Sequence, residues 1–413
     1  MSRYGELVPR GALAVLVALS VLLIAAAPSD ARHRRVPFGF VGVNWNTTDP
    51  PSLDSVPAAS QSAETRRMAR SGVESLRVAF YWRQAQPYPN AAQVPPGLAG
   101  RFATGPGGVP TDFHQTDHFV RMAAERRLRL LPTVLYAPQW ASARPFDPYY
   151  YTLPSSDPTP YTNYLLALIQ RYGPSGSFWS SHRRVPRRPI REWQIWNEPN
   201  IPNFWQELPY PKPYVRLLSA AYRVVHRTDP GARVVLAGLA NDSWNALDAL
   251  YRAGLRGNFD IAAPHPFTHS LSGVFAILRL NRAVMRRNGD GLKPMYVTEL
   301  AWSTAKGHIP RSMLAGIEVS KRRQSALLSA AYKGIGARWR RLRVSAVFWH
   351  AWATVYARGF TWNYTGLLRS YYARPFFRPL RLLRAYTSAA RHLEGCKKSS
   401  VATRCARHRR RHR

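Results

Sequence analysis

Cysteine is almost absent: the 413 residues hold two, Cys396 and Cys405, both close to the C-terminal end. A core stapled by disulfides is therefore excluded, as is a structural zinc cluster built on thiolates. In an exported chain the two could close a small loop, and the spacing says no more. Acids are scarce too, 22 Asp and Glu against 59 Lys and Arg, for a net charge of +37. Long apolar runs are scarcer still. The single candidate is residues 11–27, GALAVLVALSVLLIAAA, shorter than the roughly 20 residues a spanning helix needs. Arg3 and Arg10 precede it and the small-residue stretch Ser29-Asp30-Ala31 follows. Residues 1–31 thus read as a signal peptide or a membrane anchor, and the protein is expected to be secreted or extracytoplasmic.

Other absences narrow the chemistry. The 12 histidines include no His-Glu-x-x-His, so no metal is expected. Gly105-Pro106-Gly107-Gly108 lacks the lysine and helix start of a phosphate loop and reads as a turn, so no cofactor is expected. Despite the charge there is no zinc-finger spacing and no RNP-type motif, and nucleic acid is not the expected partner. The excess of arginine reads as coding bias with a solvated basic surface. Its functional alternative is attraction to an anionic cell envelope, most plainly through residues 394–413, a basic tail expected to be disordered and carrying both cysteines.

What is abundant is apolar and aromatic sequence. Hydrophobic residues make up 46%, with 13 Trp, 21 Tyr and 16 Phe, enough for one large barrel or two smaller domains. Short apolar runs alternate with amphipathic stretches. Strands are expected at 38–45, 75–82, 129–136, 193–196, 233–239, 260–267, 295–302 and 344–352. Helices are expected at 58–71, 113–127, 161–172, 214–226, 244–253, 273–287, 319–333 and 377–391. Eight strand–helix units imply an α/β fold, a single (β/α)8 TIM barrel over residues 36–393.

Active sites of such barrels lie at the C-terminal ends of the strands. Strand four ends in Asn197-Glu198, within EWQIWNEPN, where Pro199 stops the ladder. Strand seven ends in Thr298-Glu299, within YVTELAWST. Strands four and seven face each other across the mouth, and two opposed carboxylates are what glycosidic cleavage requires. Asn44 and Trp45, ending strand one, are candidates to line the pocket. So is Tyr136-Ala137-Pro138-Gln139-Trp140, the stretch after strand three, as a subsite wall.

WQIWNEPN and YVTELAWST resemble the acid/base and nucleophile strands of glycoside hydrolase clan A, the retaining (β/α)8 glycosidases. The likeness is greatest to family 39-type and family 5-type enzymes, including cellulase-like secreted actinobacterial proteins. It implies Glu198 as general acid/base and Glu299 as nucleophile. Asn197 would hold the sugar 2-hydroxyl, Arg77 would pair with the nucleophile, and Trp349 or Trp352 would form a platform under the reacting sugar. Many relatives carry a tyrosine near the end of strand six. Here the run is His265-Pro266-Phe267, so His265 or His269 is expected to take its role beside Glu299. The implied activity is retaining hydrolysis of an oligo- or polysaccharide. The alternatives are a non-catalytic barrel that binds polysaccharide at the cell surface, and a polyanion-binding protein whose charge is its function.

Overall fold

A parallel strand covered on both faces is mostly apolar, and Ser75–Tyr81 (SLRVAFY) and Met295–Leu300 (MYVTEL) are so apart from a few polar residues. In the computed structural model, which describes residues 35–45, 57–355, 359–371 and 374–395, seven such strands form one parallel sheet. Staves one to five are Val41–Asn44, Ser75–Tyr81, Arg129–Leu135, Glu192–Ile195 and Arg233–Val235. Staves seven and eight are Met295–Leu300 and Val344–Trp349. Their spatial order is five, four, three, two, one, eight, seven.

The expected sixth strand is not regular. Prolines at 264 and 266 remove ladder donors. What remains is a set of isolated parallel bridges, Val235↔Ile261 and Leu239↔Pro264 on one side and Ala262↔Met295 on the other. These join the free edges of staves five and seven, and Tyr296 N donates to Ala262 O at 2.8 Å across the seam. The result is the plan of a (β/α)8 barrel with one irregular stave.

Helices cover the outside: Ala58–Arg70, His114–Glu125, Thr159–Tyr172, Pro211–Thr228, Ser243–Arg252, Leu271–Arg287, Lys321–Ala337 and Arg381–Leu393 are the principal ones. Two departures from expectation follow from local chemistry. The loop at 86–110 carries three 3-10 turns and a hairpin, Phe102–Thr104 with Pro110–Asp112. The last helix starts at Arg381 rather than at Phe377. Arg374–Pro379 instead joins Ala353–Val355 and Leu368–Tyr371 in a three-stranded sheet, and Pro379 marks the break. This small sheet supports a loop, residues 359–367, that reaches the barrel mouth.

Side-chain parity sets what faces inward. Leu131, Val235, Ile261, Ala263, Tyr296, Ala346 and Phe348 form an interior cluster. Gly42 belongs to that layer because a Cβ there would lie 2.5 Å from the Phe348 ring. At the bottom, Glu192 accepts from Tyr296 Oη at 2.8 Å and pairs with Arg233 and Arg129. Arg35 N donates to Leu393 O at 3.1 Å, so the first and last described elements meet at that end. Residues 1–31 and the tail from 396 onward, with Cys396 and Cys405, lie outside the described residues. No helix among the described residues is long and apolar enough to cross a membrane.

Candidate active site

The mouth is built where regular strand geometry stops. Trp196 and Glu198 have φ of 70° and 41°, a region non-glycine residues rarely enter and that costs on the order of 1–3 kcal/mol each. Packing holds the kink. Trp196 is fully buried, its indole stacks edge-on to Trp205 at 5.3 Å, and its Nε1 donates to Phe204 O at 2.8 Å. Glu198 N donates to Gly238 O at 2.9 Å, which fixes the residue over the end of stave five. On stave seven the pairing register shifts between Val297 and Leu300, the stretch that carries Glu299.

Arg77 organises the floor. Its three donor nitrogens are all used: Nε to Gln194 Oε1 at 2.6 Å, Nη1 to Glu299 Oε1 at 2.6 Å and Nη2 to Asn197 Oδ1 at 2.7 Å. Gln194 is itself held by Thr133 Oγ1 at 3.0 Å and by Leu236 O at 3.0 Å. One buried arginine thus joins staves two, four and seven. The other oxygen of Glu299 faces His350 Nδ1 at 3.2 Å, and the same ring nitrogen lies 3.1 Å from the Asn44 amide.

His265 does not take the place expected of it beside Glu299. Its Nδ1 lies 2.7 Å from Glu198 Oε1 and 3.9 Å from Glu299 Oε2, while Nε2 meets Thr298 Oγ1 at 2.9 Å. The ring fits only because residue 238 is glycine: a Cβ there would lie 2.1 Å from His265 Nε2. Stave six therefore positions Glu198, and His350 of stave eight stands beside Glu299.

The two glutamates are driven in opposite directions. Burial raises Glu198, and the charge on Glu299 adds to this against the opposing pull of His265 and Arg77. Burial would also raise Glu299, but His265, His350 and Arg77 outweigh it, and its carboxyl is held well below the usual range. Of the three, Arg77 is the permanent cation. Burial pushes His350 down, so it serves Glu299 as a polar neighbour rather than a fixed charge. One oxygen of each glutamate and one His265 nitrogen lie within 4.8 Å of one another. Three such ligands suit a metal ion by distance, but the guanidinium already bonded to Glu299 would repel it.

The cavity above is about 510 Å3 and is lined by Asn44, Arg77, Asn197, Glu198 and Glu299 among the expected residues. Its walls also include Tyr136, from the stretch expected there, and Tyr81, Arg83, Tyr151, Phe204, Asn241, Phe267, His350, Phe360 and Trp362, none of which had been expected there. The expected tryptophans are elsewhere. Trp349 is buried outside the barrel wall and its Nε1 donates to Thr365 O at 2.9 Å. Trp352 is buried and donates to Glu64 Oε2 at 2.9 Å. Trp45 packs on Phe119 at 5.5 Å, and Trp140 donates to Gln86 O at 2.8 Å behind the wall. Strand parity explains the eighth stave: Phe348 and His350 point inward, so the tryptophan between them points out. A reader of FWHAW alone could have found His350 by fixing that parity first. The tryptophan at the mouth is Trp362, on the loop, 4.6 Å from Phe267 by ring centroids.

No protein-family model matches the chain, and no curated protein matches it. Solved structures do. A glucosidase from Croceicoccus marinus is 15% identical with a TM-score of 0.56, the match covering 86% of this chain and 68% of that one. A family 39 glycoside hydrolase from Bacteroides cellulosilyticus is 18% identical with a TM-score of 0.56, covering 87% and 64%. A monomeric β-xylosidase from Caulobacter crescentus is 16% identical with a TM-score of 0.52, covering 86% and 69%. These neighbours are glycoside hydrolases. The chain shares their fold, and it spans about two thirds of the length of each.

Proposed function

We propose that this chain is a glycoside hydrolase that cleaves O-glycosidic bonds with retention, Glu198 acting as general acid/base and Glu299 as nucleophile. The observation that carries the reading is the asymmetry of the pair: one buried carboxyl is bonded to an imidazole and pushed toward protonation, the other is bonded to an arginine and kept ionised. Their closest oxygens lie within 4.8 Å, on the short side of the roughly 5–5.5 Å between carboxyl groups that double displacement uses. Inversion needs roughly 6.5–9.5 Å, to admit a water. In the first step Glu299 attacks the anomeric carbon as Glu198 protonates the leaving oxygen. In the second, Glu198 takes a proton from water, which displaces Glu299. Asn197, oriented by Arg77, is placed to donate its amide to a ring hydroxyl. The substrate is a saccharide, as the fold neighbours and the aromatic walls suggest. NMR of the first-formed product anomer tests the mechanism: retention is expected, and an inverted anomer would remove Glu299 as nucleophile.

We also propose export and contact with an anionic envelope. The face opposite the mouth supports this. The segment before stave four, HRRVPRRPIR at 182–191, holds five arginines and no acid, and RWRRLR at 338–343 holds four and no acid. Contact of this kind is screened beyond about 8–10 Å at near-physiological salt. Truncation after Leu393 is expected to weaken sedimentation with envelope fragments at low salt and to leave the rate on a small neutral aryl glycoside unchanged. A large loss of rate would instead mean that the tail packs on the barrel.

A further inference from the structure

Arg83 is the cation of the cavity that the catalytic chemistry does not use. It sits in the short helical turn Trp82–Ala85 that follows stave two directly, and its N–H is tied to Tyr136 O at 2.9 Å. Its guanidinium is held over the Tyr151 ring at 4.7 Å and the Tyr136 ring at 5.8 Å. That arrangement fixes the direction of the fork. Burial raises Tyr136, whose hydroxyl stays neutral and cannot compensate the charge. The cavity's two carboxylates are committed elsewhere, Glu299 to Arg77 and Glu198 to His265. Among the described residues, Arg83 Nε is buried with no hydrogen-bond partner, as is Arg282 Nε.

The charge count of the pocket then fails to close. Glu299 and Arg77 cancel, Glu198 is protonated in the state that starts the reaction, and Arg83 remains as one positive charge with no carboxylate partner among the described residues. A structural arginine would have a carboxylate or backbone carbonyls on its fork, as Arg282 has in Gly291 O and Lys293 O.

Resting on the glycosidase reading, we infer that the substrate carries an anionic group and that Arg83 binds it. A planar guanidinium receives a carboxylate through two parallel N–H···O bonds, so a sugar acid is the class the site fits, one ring of the saccharide resting against Tyr136 and Tyr151. A sulfated sugar shares the charge without the planar match.

The test is binding and turnover, measured separately on the full chain at about 0.3 M salt, where long-range attraction to the basic surface is suppressed. The probes are hexuronic acid oligosaccharides, their neutral hexose counterparts, a sulfated oligosaccharide, and aryl uronides beside aryl hexosides. Uronate oligosaccharides are expected to bind more tightly than neutral ones. Arg83→Gln should weaken uronate binding roughly 10–100-fold, the range for a lost hydrogen-bonded charge contact, with little effect on neutral sugars. Arg83→Lys should restore part of the loss, and its melting curve controls for folding. Arg340→Gln, on the opposite face, should change nothing. Neutral sugars turned over while uronates neither bind nor react would overturn the inference and leave the glycosidase reading standing. Uronate binding lost in Arg83→Gln without hydrolysis of any probe would support the inference and count against hydrolysis. Equal uronate binding by wild type and Arg83→Gln, or a preference for the sulfated probe, would overturn the assignment to a sugar acid.

Discussion

Glu299→Ala is expected to abolish retaining turnover, by roughly 10⁴-fold or more, on any leaving group, because the attacking carboxylate is gone and no glycosyl-enzyme can form. Glu198→Ala should behave differently. A poor leaving group that needs a proton should lose roughly 10²–10⁴-fold, the range for general acid catalysis. An activated aryl leaving group departs without that proton and should lose far less in the first step. Azide should then restore part of the turnover, since the anion can fill the space and attack the intermediate without base help. Stopped-flow and steady-state rates on the two substrate types, with and without azide, check this. If the two variants responded alike to leaving group and azide, the roles would be wrong. If both kept near-normal rates on an authentic substrate, hydrolysis itself would be wrong.

That pair could be picked out in the sequence because the physics is local. A parallel stave is mostly apolar, so a carboxylate at its end stands out, and order along the chain places strands four and seven across the mouth. Asn197 was found through the motif that frames it, and Arg77 through the family resemblance that motif carries. The remainder of the site depended on facts no single stave declares. The inward parity of stave eight makes His350 the wall residue and buries Trp349, though both lie in one aromatic run. The proximity of His265 to Glu198 depends on a glycine 27 residues earlier, at position 238. Arg83 and Trp362 reach the cavity from a turn and from a loop, and neither segment has a period to read. The sixth stave misled in the same way: its apolar run was visible, but its two prolines allow bridges and not a ladder.

Arg77→Met should be the most damaging single change outside the two glutamates. The side chain is 8% exposed and the Glu299 carboxylate beside it 10%. Removing one partner of a buried pair leaves the other charge uncompensated, at about 3–5 kcal/mol, and here Gln194 and Asn197 lose a donor as well. The denaturation midpoint should fall accordingly. The catalytic signature is distinct from the loss of stability. In wild type the acid limb of the kcat/KM profile reports protonation of Glu299, set low because positive neighbours outweigh burial. Without the guanidinium, burial prevails, the carboxyl rises, and the acid limb should move to higher pH. The basic limb, set by Glu198, should move less and also upward, since Arg77 lowers that group too. The rate at the optimum should fall roughly 10²–10³-fold, as when a preorganised charge partner is lost. An unshifted acid limb in a folded variant would show that His350 and His265 keep Glu299 ionised without help.

The meeting of Arg35 with Leu393 has a consequence for orientation. Both ends of the folded body leave from one pole, and the catalytic mouth opens at the other. A tether through the N-terminal segment and a clamp through the basic tail would therefore present the molecule the same way up, its back to the surface and its opening toward the medium. On that proposed placement, the polymers within reach of the mouth would be those arriving from outside, and not those buried beneath the protein.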